Sequence, residues 1–326
     1  MKKERIREDS VKYFVFRNST SDIESSQTKK NYKRWSTYFA DFCKTEGITT
    51  CTFKQNPEGI VKEYSDFLLQ KGCSPHTIHS YIAPVCKSVG LNMKEIDKPR
   101  RTARTIVRGR DLDRNVRGKL EEEDAKFKNS VDFQKIVGVR RAELSKFAKK
   151  DLLYDKEVGM YCLHLYRGKG GKEQYQYILP KYNQDILRMF KAIDGADGKF
   201  VRKDELGPHI NYHKMRADVA KEAYEYYKSE LSDPDKRAAM FEKLRKHYLQ
   251  MHRNGSDGLS ERDKRHYEKF CREIELNDTY KLRGEVRANA IKHGQPVEYD
   301  RLAMSCVSVF HLSHWRNDVT AKNYLS

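Results

Sequence analysis

No stretch of the 326-residue sequence approaches the roughly 18 to 20 consecutive apolar residues that span a bilayer. Met1, Lys2 and Lys3 lead into further polar residues rather than the apolar core of a secretory leader. A membrane-spanning or exported protein is therefore not expected, and the expected location is the cytoplasm. The seven cysteines, at positions 43, 51, 73, 86, 162, 271 and 306, are odd in number, scattered and without a CxxC pair. That pattern argues against a disulfide framework or a zinc ribbon and for reduced, packed thiols. There is no internal repeat and no low-complexity tract. What is present is apolar material for a core: 38% hydrophobic residues, including 20 Tyr and 14 Phe, in a chain long enough for about two domains. Against 47 Asp and Glu stand 65 Lys and Arg, a formal charge of +18. An excess of that size suits a polyanionic partner, because cations that meet phosphates release condensed counterions. Nucleic acid is the first partner to test.

Residues 1–27 carry charge and Ser/Thr without sustained periodicity and read as an N-terminal arm with a strand at Lys12–Phe16. From Thr28 three apolar stripes recur at helical spacing: Tyr32, Trp35, Phe39 and Phe42; Ile60, Val61, Tyr64 and Leu68; Ile78, Tyr81, Ile82, Val85 and Val89. Ser74 and Pro75 supply an N-cap and first-turn proline for the third helix, and Gly72 and Gly90 stand where helix ends favour glycine. A helical domain over 28–97 is expected. Residues 98–119 hold nine basic residues against Asp111 and Asp113 and have little to bury, so they read as a basic interdomain linker. Between two domains on a duplex its arginines, Arg100, Arg101, Arg104, Arg108 and Arg110, are candidate phosphate contacts. The second domain, 120–326, opens with helices and then places two alternating β runs, Tyr161–Tyr166 and Tyr175–Leu179, around a glycine-bearing hairpin tip. It returns to helices after Pro180. A charged helical segment at about 228–278, broken by glycines at 255 and 258, reads as an insertion.

Four separated segments of this second domain carry unusual residues together. Gly138-Val-Arg-Arg-Ala-Glu-Leu144 resembles the first arginine box of the tyrosine recombinase, or phage-type integrase, family. Arg167-Gly-Lys-Gly-Gly-Lys172 resembles its β-hairpin lysine. His213-Lys-Met-Arg216 resembles its His-x-x-Arg box, and Leu312-Ser-His-Trp-Arg-Asn-Asp-Val-Thr-Ala-Lys-Asn-Tyr-Leu325 its terminal box. The resemblance covers 120–222 and 301–325 well and the N-terminal helices only as a general match to the family's core-binding domain. Ser313 stands where glycine is usual, Ala217 where a second histidine often sits, and the interval from His314 to Tyr324 is one residue longer than the commonest spacing. That interval sets whether Tyr324 reaches the site.

The resemblance implies a mainly α fold with a small antiparallel β-sheet, arranged as a two-domain DNA clamp, and a catalytic set of Arg140, Lys169, His213, Arg216, His314 and Tyr324. The chemistry explains the residue types. A phosphodiester attacked by a phenol gathers negative charge on its nonbridging oxygens, so two guanidiniums, Arg140 and Arg216, would stabilise the transition state. Tyr324 would be the nucleophile. A phenol with a pKa of about 10 needs a base, for which His213 is the candidate. The resemblance makes Lys169 the general acid for the departing 5′ hydroxyl, with Lys172 as a further DNA contact, and His314 a hydrogen-bond partner of the phosphate. The product would be a 3′-phosphotyrosyl DNA, formed without metal, ATP or nucleotide cofactor.

Two rival assignments are open to the same residues. His209 with His213, or His311 with His314, has helical spacing for zinc, but no HExxH glutamate accompanies them. Tyr280-Lys-Leu-Arg283 could replace His213–Arg216 as the second arginine box; the earlier pair is preferred because it supplies a histidine as well. The function expected from the resemblance is site-specific recombination of a mobile element such as a prophage or conjugative transposon, by a homotetramer assembled on double-stranded attachment-site DNA. A type IB topoisomerase and a noncatalytic DNA-binding protein of the same fold are the alternatives. With only two residues after Tyr324, the 228–278 insertion is expected to supply the contact between subunits.

Overall fold

The computed structural model describes residues 10–102, 119–168, 173–193, 198–252, 258–276 and 279–325. The chain divides into two compact units, 1–107 and 108–326.

The first unit is helical: α1 (Val11–Thr20), α2 (Ser26–Thr45), α3 (Thr50–Gln55), α4 (Pro57–Gln70) and α5 (Pro75–Ser88). The three apolar stripes become the inner faces of α2, α4 and α5, with Phe39, Tyr64, Val61, Ile78, Ile82 and Val85 fully buried. Ser74 caps α5 by accepting the Thr77 N–H, and Gly72 and Gly90 take left-handed φ of 75° and 71°. The strand expected at Lys12–Phe16 is instead part of helix α1. Ser10 accepts the Tyr13 N–H as an N-cap, and Val11 and Val15, one turn apart, bury into the same core. A short alternating run gave the period of a strand, while the cap and the i, i+4 valine pair decide for a helix. The expected arm thus contributes a core helix over 11–20.

The second unit contains α6 (Lys119–Lys126), α7 (Lys128–Val137) and the short α8 (Arg141–Leu144). An antiparallel sheet follows, β1 (Leu152–Asp155), β2 (Met160–Leu165) and β3 (Gln174–Tyr177) in that order, with Cys162 opposite Tyr177 and Leu165 opposite Gln174. β2 serves two cores: Met160 and Cys162 enter one apolar cluster and Leu163 and Leu165 another. Next come α9 (Asn183–Lys191), α10 (Tyr212–Glu230), α11 (Pro234–His252) and α12 (Glu261–Glu275). A small second sheet pairs β4 (Thr279–Lys281) with β5 (Glu298–Asp300) across α13 (Gly284–Lys292). The chain closes with α14 (Arg301–Cys306), a π-helical turn Val307–His311, α15 (Asn317–Thr320) and a second π-helical turn Ala321–Leu325. The long α10 is the hub, packed on α7, α14 and both π turns. The segment read as an insertion does not stand apart: Leu244, Tyr248, Phe270 and Ile274 of α11 and α12 are buried in the same cluster as Phe310, Leu312 and Tyr324.

Candidate active site

The first box is built by the end of α7. Gly138 closes that helix with a left-handed φ of 58°, and a Cβ there would lie 2.9 Å from Val219 of α10, so both conformation and space require glycine. The turn delivers Arg140 to the N-cap of α8. Its guanidinium donates to Glu143 Oε1 at 2.9 Å, while its backbone N–H donates to Glu143 Oε2 at 3.0 Å. Glu143 is buried, so the pair fixes the arginine, which stays partly exposed.

The start of α10 is pinned to that turn by residues that sequence reading missed. Gln134 Nε2 donates to both Val139 O and Tyr212 O at 2.8 Å, and the Tyr212 hydroxyl accepts from Gly207 N–H at 3.0 Å. No periodic signal singles out one buried glutamine. One turn further, Arg216 is 1% exposed and donates through Nη1 to Gly138 O at 2.6 Å and through Nη2 to Leu312 O at 2.9 Å. It therefore ties the first box to the terminal box. Burial pulls its pKa down, and the Tyr324 hydroxyl beside it opposes that shift.

The terminal box supplies the rest. Ser313 and Trp315 both have φ of 52°, the left-handed region that non-glycine residues rarely adopt, and they flank His314. The His314 N–H donates to Ser308 O at 3.1 Å and Ser313 Oγ donates to Tyr175 O at 3.1 Å. Beyond the loop, Ser308 Oγ donates to Asn317 Oδ1 at 3.0 Å, and Asn317 Nδ2 donates to Ser305 Oγ at 2.8 Å. The extra residue between His314 and Tyr324 meets its answer at Ala321–Leu325. A π turn takes more residues per turn than an α turn, so one more residue is absorbed without carrying the tyrosine away.

Tyr324 is consequently ringed. Its ring centroid lies 5.9 Å from His314 and 5.7 Å from His213, the latter edge-on, and the Arg216 guanidinium carbon lies 5.8 Å from it. His314 is driven down to about 3 by burial first, then by the charges of Arg216, Arg140 and Arg316. Among the described residues, Arg216 Nε and both ring nitrogens of His314 are buried without a hydrogen-bond partner. Three nitrogens without partners thus cluster about one phenol.

Five of the six residues expected to act together are brought together: Arg140, His213, Arg216, His314 and Tyr324. Lys169 and Lys172 lie outside the described residues, as do Arg104, Arg108 and Arg110. The strands that carry the lysine hairpin, β2 and β3, pair as expected. Arg100 and Arg101 are exposed at the end of the first unit. The rival arginine, Arg283, is exposed at the N-cap of α13 and neighbours Tyr280 rather than the phenol cluster. His209 precedes α10, exposed, and its nearest carboxylate is Glu123 at 3.8 Å.

Residues 11–97 match the family model described as the phage integrase SAM-like domain. That match concerns the first unit alone, where the chain is similar to phage integrases. No curated protein matches. Among solved structures a match is the crystal structure of XerA recombinase, 17% identical, covering 65% of this chain and 82% of that one, with a TM-score of 0.24. No helix among the described residues is long and apolar enough to cross a membrane.

Proposed function

We propose that this chain is a site-specific DNA recombinase that cuts one strand by attack of the Tyr324 hydroxyl on a phosphodiester. The observation that carries the reading is the cluster of Arg140, Arg216 and His314 around Tyr324, with three buried nitrogens still lacking partners. Tyr324 Oη forms a bond to phosphorus while the bond to the 5′ oxygen breaks. The phenolic proton passes to His213, whose ring is exposed at the start of α10 beside Tyr324. The leaving 5′ oxygen takes a proton from Lys169 on the β2–β3 hairpin. Arg140 and Arg216 neutralise the charge that builds on the nonbridging oxygens, and His314 hydrogen-bonds one of them. A buried His314 with a pKa of about 3 enters the reaction neutral, so one nitrogen donates without adding charge. The bond energy stays in the 3′-phosphotyrosyl link, and attack by another strand's 5′ hydroxyl reverses the step. Neither metal nor nucleotide enters this scheme.

The partner is double-stranded DNA of a mobile element's attachment site. The basic segment 98–119, with Arg100, Arg101, Arg104, Arg108 and Arg110, and Lys172 supply sequence-independent phosphate contacts. Strand exchange between two duplexes needs four cleavages and hence a tetramer on DNA. The test is a supercoiled plasmid with and without the element's paired ends. Recombination that depends on those ends supports the reading, whereas efficient relaxation of the plasmid lacking them makes the enzyme a swivelling topoisomerase instead.

A further inference from the structure

The loop that holds His314 is strained on both sides, and its support comes from the inserted segment. Ser313 and Trp315 sit at φ of 52° with no glycine to ease the turn. A conformation of this kind persists only where the surroundings over-determine it. Among the described residues Trp315 meets four rings, and all four belong to α11 or α12. His247 stacks on it at 5.7 Å with 28° between planes; Tyr248 at 4.8 Å, His252 at 5.3 Å and Phe270 at 5.3 Å meet it edge to face. The box is anchored behind. His247 packs on Phe310 at 5.3 Å, and its Nδ1 lies 3.4 Å from the Tyr177 hydroxyl, which donates to Asp155 at 2.6 Å. The insertion is thereby coupled through one tryptophan to the residue next to His314.

We infer that α11 and α12 form a positioning device for the active site, and that Trp315 is the positioning residue through which they hold His314 against Arg216 and Tyr324. The device rests on the recombinase reading for its purpose but not for its geometry. It assigns the 228–278 segment a role inside its own subunit. The groups facing His314 are Arg216, Arg140, Arg316, Asp318 and the Tyr324 hydroxyl.

The test compares full-length Trp315→Ala and Trp315→Phe by histidine NMR titration, with the His314 resonance assigned from His314→Asn. In the wild type His314 should titrate near pH 3. Trp315→Ala frees the loop and shifts the midpoint upward by about 1.5 units or more toward that of a solvated imidazole, while Trp315→Phe, which keeps a ring in the box, stays within about half a unit. Should Trp315→Ala fail to fold, Trp315→Leu keeps apolar bulk without the ring and is read in the same way. An unmoved midpoint in a folded Ala or Leu variant overturns the device. In parallel, covalent capture is measured on a pool of duplexes of randomised sequence carrying one 5′-bridging phosphorothiolate. The Ala variant should be slowed about tenfold or more and the Phe variant rescued. A wild type that captures no duplex counts against the recombinase reading alone, because the titration does not depend on DNA.

Discussion

Arg216 is the one arginine or lysine buried among the described residues, and the way it is satisfied says what it is for. A buried guanidinium is costly unless hydrogen-bonded, and here two of its nitrogens reach carbonyls, Gly138 O and Leu312 O, that lie far apart in sequence. Gly138 must in turn bring its carbonyl close to α10, which its lack of a Cβ permits. Gly138→Ala is expected to lower stability by about 1–3 kcal/mol through overpacking against Val219 and the left-handed φ, measured as a shift in the denaturant midpoint. An unchanged midpoint would show that the turn has room to spare. Buried histidines make stability depend on pH, and His311 and His247 lie outside the Tyr324 cluster. Burial pushes His311 down to about 3, helped by Arg216, and His247 down to about 4. In the unfolded chain both return to 6.5. Below that pH the unfolded state binds protons the folded state refuses, so stability is full above pH 6.5 and falls as the pH drops, flattening near 3 to 4. The loss should reach on the order of 2 kcal/mol for each histidine at about pH 5, and His311→Gln should remove one share of it. Thermal unfolding across this range checks the slope; equal stability at both ends would contradict the burial argument. The residues that the proposed function assigns to the site were legible in the sequence because arginine, histidine and tyrosine occur in motifs. Gln134 and Trp315 were not, since a single buried amide or indole leaves no pattern until its partners are placed beside it.

At the scale of elements, periodicity did most of the work in the first unit. The stripes of α2, α4 and α5 recur over three or more turns, long enough for the helical period to exceed chance. α1 failed the same reading because Lys12–Phe16 spans barely one turn, where strand and helix periods cannot be told apart. The insertion was visible as charged helix but not in its role: its inward residues, Leu244, Tyr248, Phe270 and Ile274, are too sparse to announce a common core. The π turn at Ala321–Leu325 was beyond the sequence altogether, because a spacing counts residues and says nothing of how tightly they are wound. The β2–β3 hairpin offers a test of its own. Lys169→Ala should slow cleavage of an ordinary duplex by about a hundredfold or more, since the 5′ alkoxide then leaves unprotonated. On a 5′-bridging phosphorothiolate the loss should largely vanish, because a thiolate leaves without needing a proton. Equal losses on both substrates would remove Lys169 from the role of acid.

For the whole molecule, the proposed function gives the charge of +18 and the SAM-like domain over 11–97 the task of holding DNA and assigns the chemistry to the second unit. Three sequence segments converge there on one phenol: the α7–α8 turn, the start of α10 and the terminal box. None of these segments is unusual alone; the proposed function rests on their meeting. The most direct measurement is covalent capture on the randomised duplex pool with a 5′-bridging phosphorothiolate, followed by digestion and mass mapping of the nucleotide-bearing peptide. The account requires a denaturant-resistant adduct whose added mass sits on Tyr324 and which Tyr324→Phe abolishes. An adduct on another residue, or one that survives in Tyr324→Phe, would contradict it.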